Sequence, residues 1–133
     1  MNYQILRDIQ RNERRQELGR VPNNFYEDCR IFLRKLVKEY KETQETEKRI
    51  IAENTMEIIR EIMDNRYEKI VHAAATGKKL DNMVGSEKNL YYNLNKTFND
   101  YKEDYKENTR EDDKNDEYNL HYSRQNKQWI SNL

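Results

Sequence analysis

Apolar residues recur at spacings of three and four along most of the chain, which is the pattern of amphipathic helices. The clearest stretch runs from Ile51 to Ala75 and traces one face over about seven helical turns. Many of these residues are β-branched, but the spacing and the length favour a helix over a strand. Gly77 follows the stretch and is a natural C-terminal stop.

An earlier stretch predicts a helix that begins near Asn24, a residue type that caps helices. Glu27 occupies the capping-box position three residues later. The apolar face that follows consists of Phe25, Cys29, Phe32, Leu33, Leu36, Val37 and Tyr40. Residues 41–48 are polar throughout, so they either continue this helix or connect it to the next one.

Two further helices flank this pair. Ile5, Leu6 and Ile9 predict a short first helix, for which Leu18 is a further candidate before Gly19 and Pro22 interrupt the pattern. Residues 78–85 are expected to form a loop, after which Ser86 can cap a fourth helix. The apolar face of that helix consists of Leu90, Tyr91, Leu94, Phe98, Tyr101 and Tyr105.

The pattern fades after Tyr105. Residues 108–119 are charged and nearly free of apolar side chains, which is typical of a linker or a frayed helix end. Residues 118–133 carry Trp129 and Ile130 and fit either a short docked helix or a disordered tail. The sequence therefore predicts an all-α, four-to-five-helix bundle over residues 1–107, followed by a charged linker and C-terminal segment over residues 108–133.

Composition supports this fold class and limits the functions open to the chain. Only 35% of the 133 residues are hydrophobic and 38% are charged, which suits helices that each bury a single stripe. Three glycines and one proline are too few for the turns of an all-β fold. Basic and acidic residues balance at 25 each, so no overall charge attracts nucleic acid or an anionic membrane.

The single cysteine and the absence of long apolar runs bear on location. One cysteine cannot form an intramolecular disulfide, and a reducing compartment fits it best. No run of about 18 apolar residues exists to span a membrane, and the N-terminus lacks the apolar segment of a secretory signal. We therefore expect a cytoplasmic protein without membrane contact.

Residues able to carry chemistry are few. Cys29 lies on an apolar face, and no base is positioned beside it by sequence. His72 follows Glu68 by four residues, which does not match the spacing of a di-metal bundle site, and His121 falls in the weakly patterned end. No Gly-rich phosphate loop appears. The sequence predicts no enzyme activity, no metal and no cofactor, and a role in binding macromolecules.

Tyrosine and arginine offer candidate surfaces. Ten tyrosines are present, and a tyrosine ring can be buried while its hydroxyl stays hydrated, which suits interfaces and core edges alike. If Tyr91 packs inward, Tyr92 is left at the flank of the bundle. A basic cluster near the N-terminus fits a solvated face, with phosphate or an acidic partner as alternatives. Its members are Arg7, Arg11, Arg14, Arg15 and Arg20.

The order of several motifs resembles a known family. Phe25-Tyr26 opens the second helix, and Arg66 and Lys69-Ile70 precede small residues near the end of the third. Gly-Ser-Glu-Lys and then Leu90-Tyr-Tyr open the fourth. In this order and spacing, residues 1–105 resemble the helical A domain of an archaeal-type GINS subunit. The family's second, β domain is not apparent after residue 105, so we expect it to be truncated or lost.

The resemblance implies a non-enzymatic scaffold in DNA replication. A GINS-like subunit would form a homotetramer or a mixed tetramer, and would assemble with the MCM helicase and a RecJ-like protein. DNA contact would be indirect or weak, and the complex would lie at the nucleoid-associated replisome, or in the nucleus of a eukaryote. Alternatives outside this family are a helical DNA-binding regulator that uses Arg14 and Arg15, and a generic helical adaptor.

Structural and interface residues follow from the helical faces together with this resemblance. A buried Arg66 would need a carboxylate partner, for which Glu27, Asp28 and Glu87 are candidates. Such a residue either locks helix to helix or contacts another subunit. The full set of predicted structural and interface residues is Phe25, Tyr26, Leu33, Leu36, Tyr40, Ile62, Arg66, Lys69, Ile70, Leu90, Tyr91 and Tyr92.

Overall fold

The structure, a computed structural model, describes the backbone of residues 1–114 and the side chains of residues 1–108. Over these residues the chain is all-helical, as the sequence predicts, and has four helices. They are α1 (Tyr3–Glu13), α2 (Phe25–Thr43), α3 (Thr46–Thr76) and α4 (Glu87–Lys114). The possible fifth helix, His121 and the rest of the predicted C-terminal segment from residue 115 onward lie outside the described residues.

The first helix is shorter than the longest one that the sequence predicts, which would include Leu18. Asn2 caps it, because its side chain accepts a hydrogen bond from the Ile5 N–H at 2.8 Å. The helix ends at Glu13, so Leu18 lies in the following loop, where it is nevertheless buried. The loop folds back because the Gly19 N–H donates to the Glu13 carboxylate at 3.1 Å.

The second helix begins where the sequence predicts, but not by the predicted cap. Asn24 occupies the N-cap position, yet its side chain makes no capping hydrogen bond. Glu27 does not complete a capping box, because its carboxylate pairs with Arg30 at 2.7 Å. The helix ends at Gln44, whose φ of 57° is left-handed, and α3 starts two residues later. The polar stretch 41–48 therefore holds the connection.

The sequence indicates the end of α3 clearly, but it leaves the end of α4 open. Gly77 terminates α3 with a φ of 74°, a conformation that glycine adopts without steric cost. The α4 helix, in contrast, runs to Lys114 and includes the first residues of the predicted linker. Charged residues at helical spacing tolerate such a solvated continuation, as the Lys106–Glu103 pair at 3.6 Å illustrates.

The core sits around the second half of α3, because α1 and the start of α2 both pack against it. Each helix contributes one stripe, as a charged sequence with few apolar residues requires. Cys29 is buried there and unpaired, as expected for a small apolar side chain. The buried cluster consists of Leu6, Phe25, Cys29, Ile58, Ile59, Ile62 and Val84.

The hairpin that joins α2 to α3 extends beyond this core. We call residues 34–57 the hairpin arm; Ala52 and Thr55 are its only buried side chains. Ile50, Ile51 and Met56 are each more than 40% exposed. The Thr55 hydroxyl is buried and has no hydrogen-bond partner among the described residues. The arm is a two-helix structure with apolar faces that the described chain leaves uncovered.

The chain divides into two compact units within α4. The first unit, Met1–Asn95, contains α1, α2, α3, the core and the start of α4. The second unit begins at Lys96, and its described part is the remainder of α4. In that part Tyr101 and Tyr105 are exposed.

Candidate functional site

A buried ion cluster is the most distinctive site of the first unit, and Arg66 lies at its centre. Arg66 is four residues from both Ile62 and Ile70 on α3, so it occupies the core-facing stripe of that helix. Its side chain is fully buried. A buried arginine must be paired and hydrogen-bonded to offset the loss of hydration, so its partners decide whether the site is stable.

All five N–H donors of the Arg66 guanidinium are used. Nε and Nη2 donate to the two Glu87 carboxylate oxygens at 2.8 and 2.7 Å, a bidentate pair. Nη1 donates to the Glu13 carboxylate at 2.9 Å and to the Gly19 carbonyl at 2.8 Å. Nη2 also donates to the Asn82 carbonyl at 3.0 Å. One side chain thereby connects α3 to the end of α1, the start of α4 and both intervening loops.

Glu13 is shared between two cations. Its carboxylate accepts from Arg66 and, at 2.9 Å, from Lys69 Nζ. The Lys69 ammonium also donates to the backbone carbonyls of Glu13 at 2.6 Å and Glu17 at 2.9 Å. A Cβ at Gly19 would lie 2.6 Å from Glu13 Oε2, so a larger residue there would have to displace this carboxylate. The end of α1 and its loop are therefore held against α3 by charge.

Glu87 opens α4 and closes the other side of the cluster. Its carboxylate accepts the Arg66 donors, the Val84 N–H at 2.8 Å and the Tyr26 hydroxyl. Burial alone would raise the pKa of Glu87, but the hydrogen bonds from Arg66, Tyr26 and the Val84 N–H outweigh it and lower that pKa below its usual range. Glu87 is therefore held in its charged form.

The Phe25-Tyr26 pair joins the core to the cluster. Phe25 is fully buried, and its ring meets that of Tyr26 edge to face at 5.4 Å. The Tyr26 ring stacks on Tyr67 of α3 with centroids 6.4 Å apart. Burial raises the pKa of Tyr26, and the hydrogen bond to Glu87 raises it further, so the phenol remains a donor. Both members of the motif serve internal packing.

Arg66 itself stays charged under all ordinary conditions. Burial opposes its charge, but the hydrogen bonds and charge of Glu87, followed by those of Glu13, raise its pKa above the usual value. The two cations Arg66 and Lys69 balance the two carboxylates Glu13 and Glu87. Since every Arg66 donor is engaged, the arrangement fixes helices and loops rather than binding a further group.

The predicted site residues separate into three groups by exposure. Phe25, Ile62, Arg66 and Ile70 are buried within the chain, and Tyr92 is 67% exposed. The Tyr91 hydroxyl donates to the Lys78 carbonyl at 2.7 Å, which turns this tyrosine inward and leaves Tyr92 at the flank. The half-buried members are Tyr26, Leu33, Leu36, Tyr40, Lys69, Leu90 and Tyr91.

The structure corrects the predicted partners of Arg66. Glu87 is a partner as predicted, whereas Glu27 pairs with Arg30 on the surface of α2. Asp28 makes no ion pair with Arg66 in the described part of the chain, and Glu13 was missed. Glu13 lies four residues after Ile9, so the apolar stripe of α1 already placed a carboxylate on the core-facing side.

The remaining candidates have surface or packing positions. His72 is exposed, and Arg14 bonds to Glu61 of α3 in a pair that is itself largely exposed. Burial, followed by the charge of Asp28, raises the pKa of the Cys29 thiol to about 12, which disfavours a reactive thiolate. Gln10 also bonds to Glu61, so this carboxylate anchors α1 to α3 from the outside.

A surface cavity of about 560 Å³ lies beside the cluster, between the loop after α1 and the end of α3. Its walls carry charges of both signs, including Glu68, Lys79 and Asp81, so no single charge selects a ligand. Among the described residues, no group of three or more histidine, cysteine, aspartate or glutamate side chains could hold a metal ion. None of the described helices combines the length and apolar character needed to cross a membrane.

Comparisons with known proteins identify no relative of this chain. The chain matches no known protein family, no curated protein and no solved structure.

Proposed function

We propose that the chain is a non-enzymatic scaffold subunit of a GINS-like complex in DNA replication, which assembles with the MCM helicase and a RecJ-like partner. The observation that carries the proposal is the convergence of the motif residues behind the GINS resemblance. Tyr26 of α2 and the pair Arg66 and Lys69 of α3 all belong to one ion cluster with Glu87 of α4. Residues that fix one arrangement of four helices are the ones that members of a family with this helical domain are expected to have in common.

The distribution of exposed apolar side chains supports a scaffold role. Tyr92 is exposed beside the inward-facing Tyr91, and the hairpin arm leaves Ile50 and Ile51 uncovered. Tyrosine and isoleucine at a solvated surface suit a protein interface more than an isolated helical bundle. We expect subunits to bury more than about 1,000 Å² between them.

The test measures assembly and helicase binding together. Light scattering of the purified chain gives its mass, and biolayer interferometry against purified MCM helicase gives its affinity. The expected result is an oligomer that binds the helicase, and Tyr92→Ser should weaken one or both. Tyr3→Ser is the matched control, because Tyr3 is also exposed but lies on α1. A chain that stays monomeric at high concentration and has no affinity for the helicase would contradict the proposal.

A further inference from the structure

A shallow apolar groove with a basic edge runs along the outer side of α2. Its volume is about 420 Å³, and all the residues that line it belong to this one helix. Leu33 and Val37 form a half-buried apolar row, and the basic side chains beside them are exposed. The lining residues, spaced as one face of the helix, are Arg30, Leu33, Arg34, Val37, Lys38 and Lys41.

The basic side chains of the groove repel one another. Arg34 lies four residues from both Arg30 and Lys38, and Lys41 lies three residues after Lys38. Like charges at these spacings are neighbours on a helix and destabilise it. Arg30 is compensated by Glu27, whereas the side chains of Arg34, Lys38 and Lys41 form no ion pair within the part of the chain that the structure describes.

Several other surface bases of the first unit are compensated by an acid one helical turn away. Arg11 pairs with Asp8 and Arg60 with Glu57, at 2.8 and 3.0 Å. The chain is neutral overall, yet the cations of the groove are concentrated on one face of α2. Between residues 30 and 41 the chain holds five basic residues and a single acidic one, Glu39.

The combination of an apolar row and a basic edge defines what fits the groove. Nucleic acid would pair with the cations but leave Leu33 and Val37 exposed at its boundary. An anionic membrane would require a much wider apolar face than these two residues provide. A partner helix with one apolar row beside one acidic row matches both features. Its apolar side chains cover Leu33 and Val37, and its carboxylates pair with the basic edge of the groove.

We infer that the α2 groove is a docking site for an acidic amphipathic helix of a partner protein. Leu33 and Val37 receive its apolar side chains, and Arg34, Lys38 and Lys41 bind its carboxylates. The lining residues span 12 positions, so a partner helix of about three turns covers the groove. The inference is independent of the GINS-like proposal, because a chain without affinity for the MCM helicase would still bind such a helix.

The test uses a synthetic peptide of defined chemistry. The probe is a fluorescein-labelled, stapled helix of about 14 residues, with leucine at positions i, i+4 and i+7 and glutamate in the adjacent row. A comparison peptide carries lysine at every glutamate position. Fluorescence anisotropy with the full chain should show saturable binding of the acidic peptide, weakened by added salt, and little binding of the lysine peptide.

Variants assign the binding to the groove. Arg34→Glu with Lys38→Glu should lower the affinity for the acidic peptide by about tenfold or more, because each charge pair lost from the interface accounts for a large part of that change. Lys35→Glu with Lys79→Glu is the matched control: Lys35 shares α2 but lies outside the groove, and Lys79 lies in the loop after α3. Val37→Ser tests the apolar row separately. Circular dichroism melting checks that every variant folds.

Several outcomes would overturn the inference. One is equal affinity for the acidic and lysine peptides, and another is an equal loss in the control variant. Tighter binding of duplex DNA or of anionic phosphatidylserine vesicles than of the acidic peptide would assign the cations to a different macromolecule. If the charge-reversed variant converts an oligomeric chain to a monomer in light scattering, the groove is occupied by a second copy instead.

Discussion

The base of the helical bundle, which holds the ion cluster around Arg66, and the hairpin arm share α2 and α3 but are stabilised differently. At the base, Arg66 is fully buried, and all its donors are satisfied by Glu13, Glu87 and backbone carbonyls. In the arm, α2 packs against α3, and Ile50 and Ile51 are nearly half exposed. In the base, the charged residues bond to one another inside the fold, whereas in the arm the apolar side chains are exposed to solvent.

This contrast separates stability from recognition. Substitutions at the base disturb buried charges whose desolvation is already compensated, so they are expected to unfold the chain. Substitutions on the arm remove side chains that contribute little to the folded state and much to any surface a partner sees. The two regions can therefore be changed independently, which the following experiments exploit.

The largest expected effect comes from removing the central cation. Arg66→Met keeps much of the side-chain volume but leaves Glu13 and Glu87 buried without their main partner. We expect it to lower the free energy of unfolding by about 3–5 kcal/mol, measured by urea denaturation followed by circular dichroism. Arg60→Met is the control, because its exposed pair with Glu57 should contribute less than about 1 kcal/mol. Equal losses in the two variants would show that the cluster does not stabilise the base.

A pH series sharpens the role of Glu87. Its pKa is lowered in the folded state from a value of 4.5, so its charged form stabilises the protein above about that pH. Protonation as the pH falls further removes this contribution. Glu87→Gln should therefore lose about 2–3 kcal/mol of unfolding free energy at neutral pH, a typical value for hydrogen bonds to a buried charge.

The difference between the chain and Glu87→Gln should shrink as the pH is lowered below about 4.5, because the unfolded chain then gains a proton at Glu87 and the stabilisation by its charged form is lost. Glu57→Gln serves as the control, since Glu57 belongs to an exposed pair and should show a small difference at every pH. A difference for Glu87→Gln that is independent of pH would mean that shape, and not charge, matters at this position.

The smallest effect on stability is expected in the arm. Ile51→Ser removes an apolar side chain that is 46% exposed, and it should change the free energy of unfolding by less than about 0.5 kcal/mol. Ile62→Val, a far smaller chemical change at a fully buried position, should cost about 0.5–1.5 kcal/mol. If urea denaturation reverses this order, the arm is part of the cooperative core.

Sequence patterns predicted most of the helical framework because each helix carries its own periodic stripe. The stop at Gly77 follows from a local preference that needs no tertiary contact, whereas the polar residues 41–48 fitted either a continuation of α2 or its connection to α3. The capping box at Asn24 and Glu27 failed because Arg30, one turn along the same helix, takes the carboxylate. The end of α4 was left open between a linker and a frayed helix end, because solvated charges fit both equally well.

The candidate site was only partly predictable for a related reason. The sequence placed Arg66 on the core-facing stripe and named Glu87 among its partners, since both follow from helical faces. Glu13 is separated from Arg66 by 53 residues, and their contact depends on how the loop through Gly19 returns to α3. No local pattern determines the path of that loop.

By itself the sequence determined that this protein is helical and where the apolar face of each helix lies, because periodicity is a property of each segment. It also indicated that Arg66 would need a carboxylate partner. The tertiary structure alone decided that Glu13, Arg66, Lys69 and Glu87 form one cluster, and that the basic face of α2 remains uncovered by the first unit. Both results depend on long-range packing around α3. Such packing sets which distant charges meet and which are left for a partner.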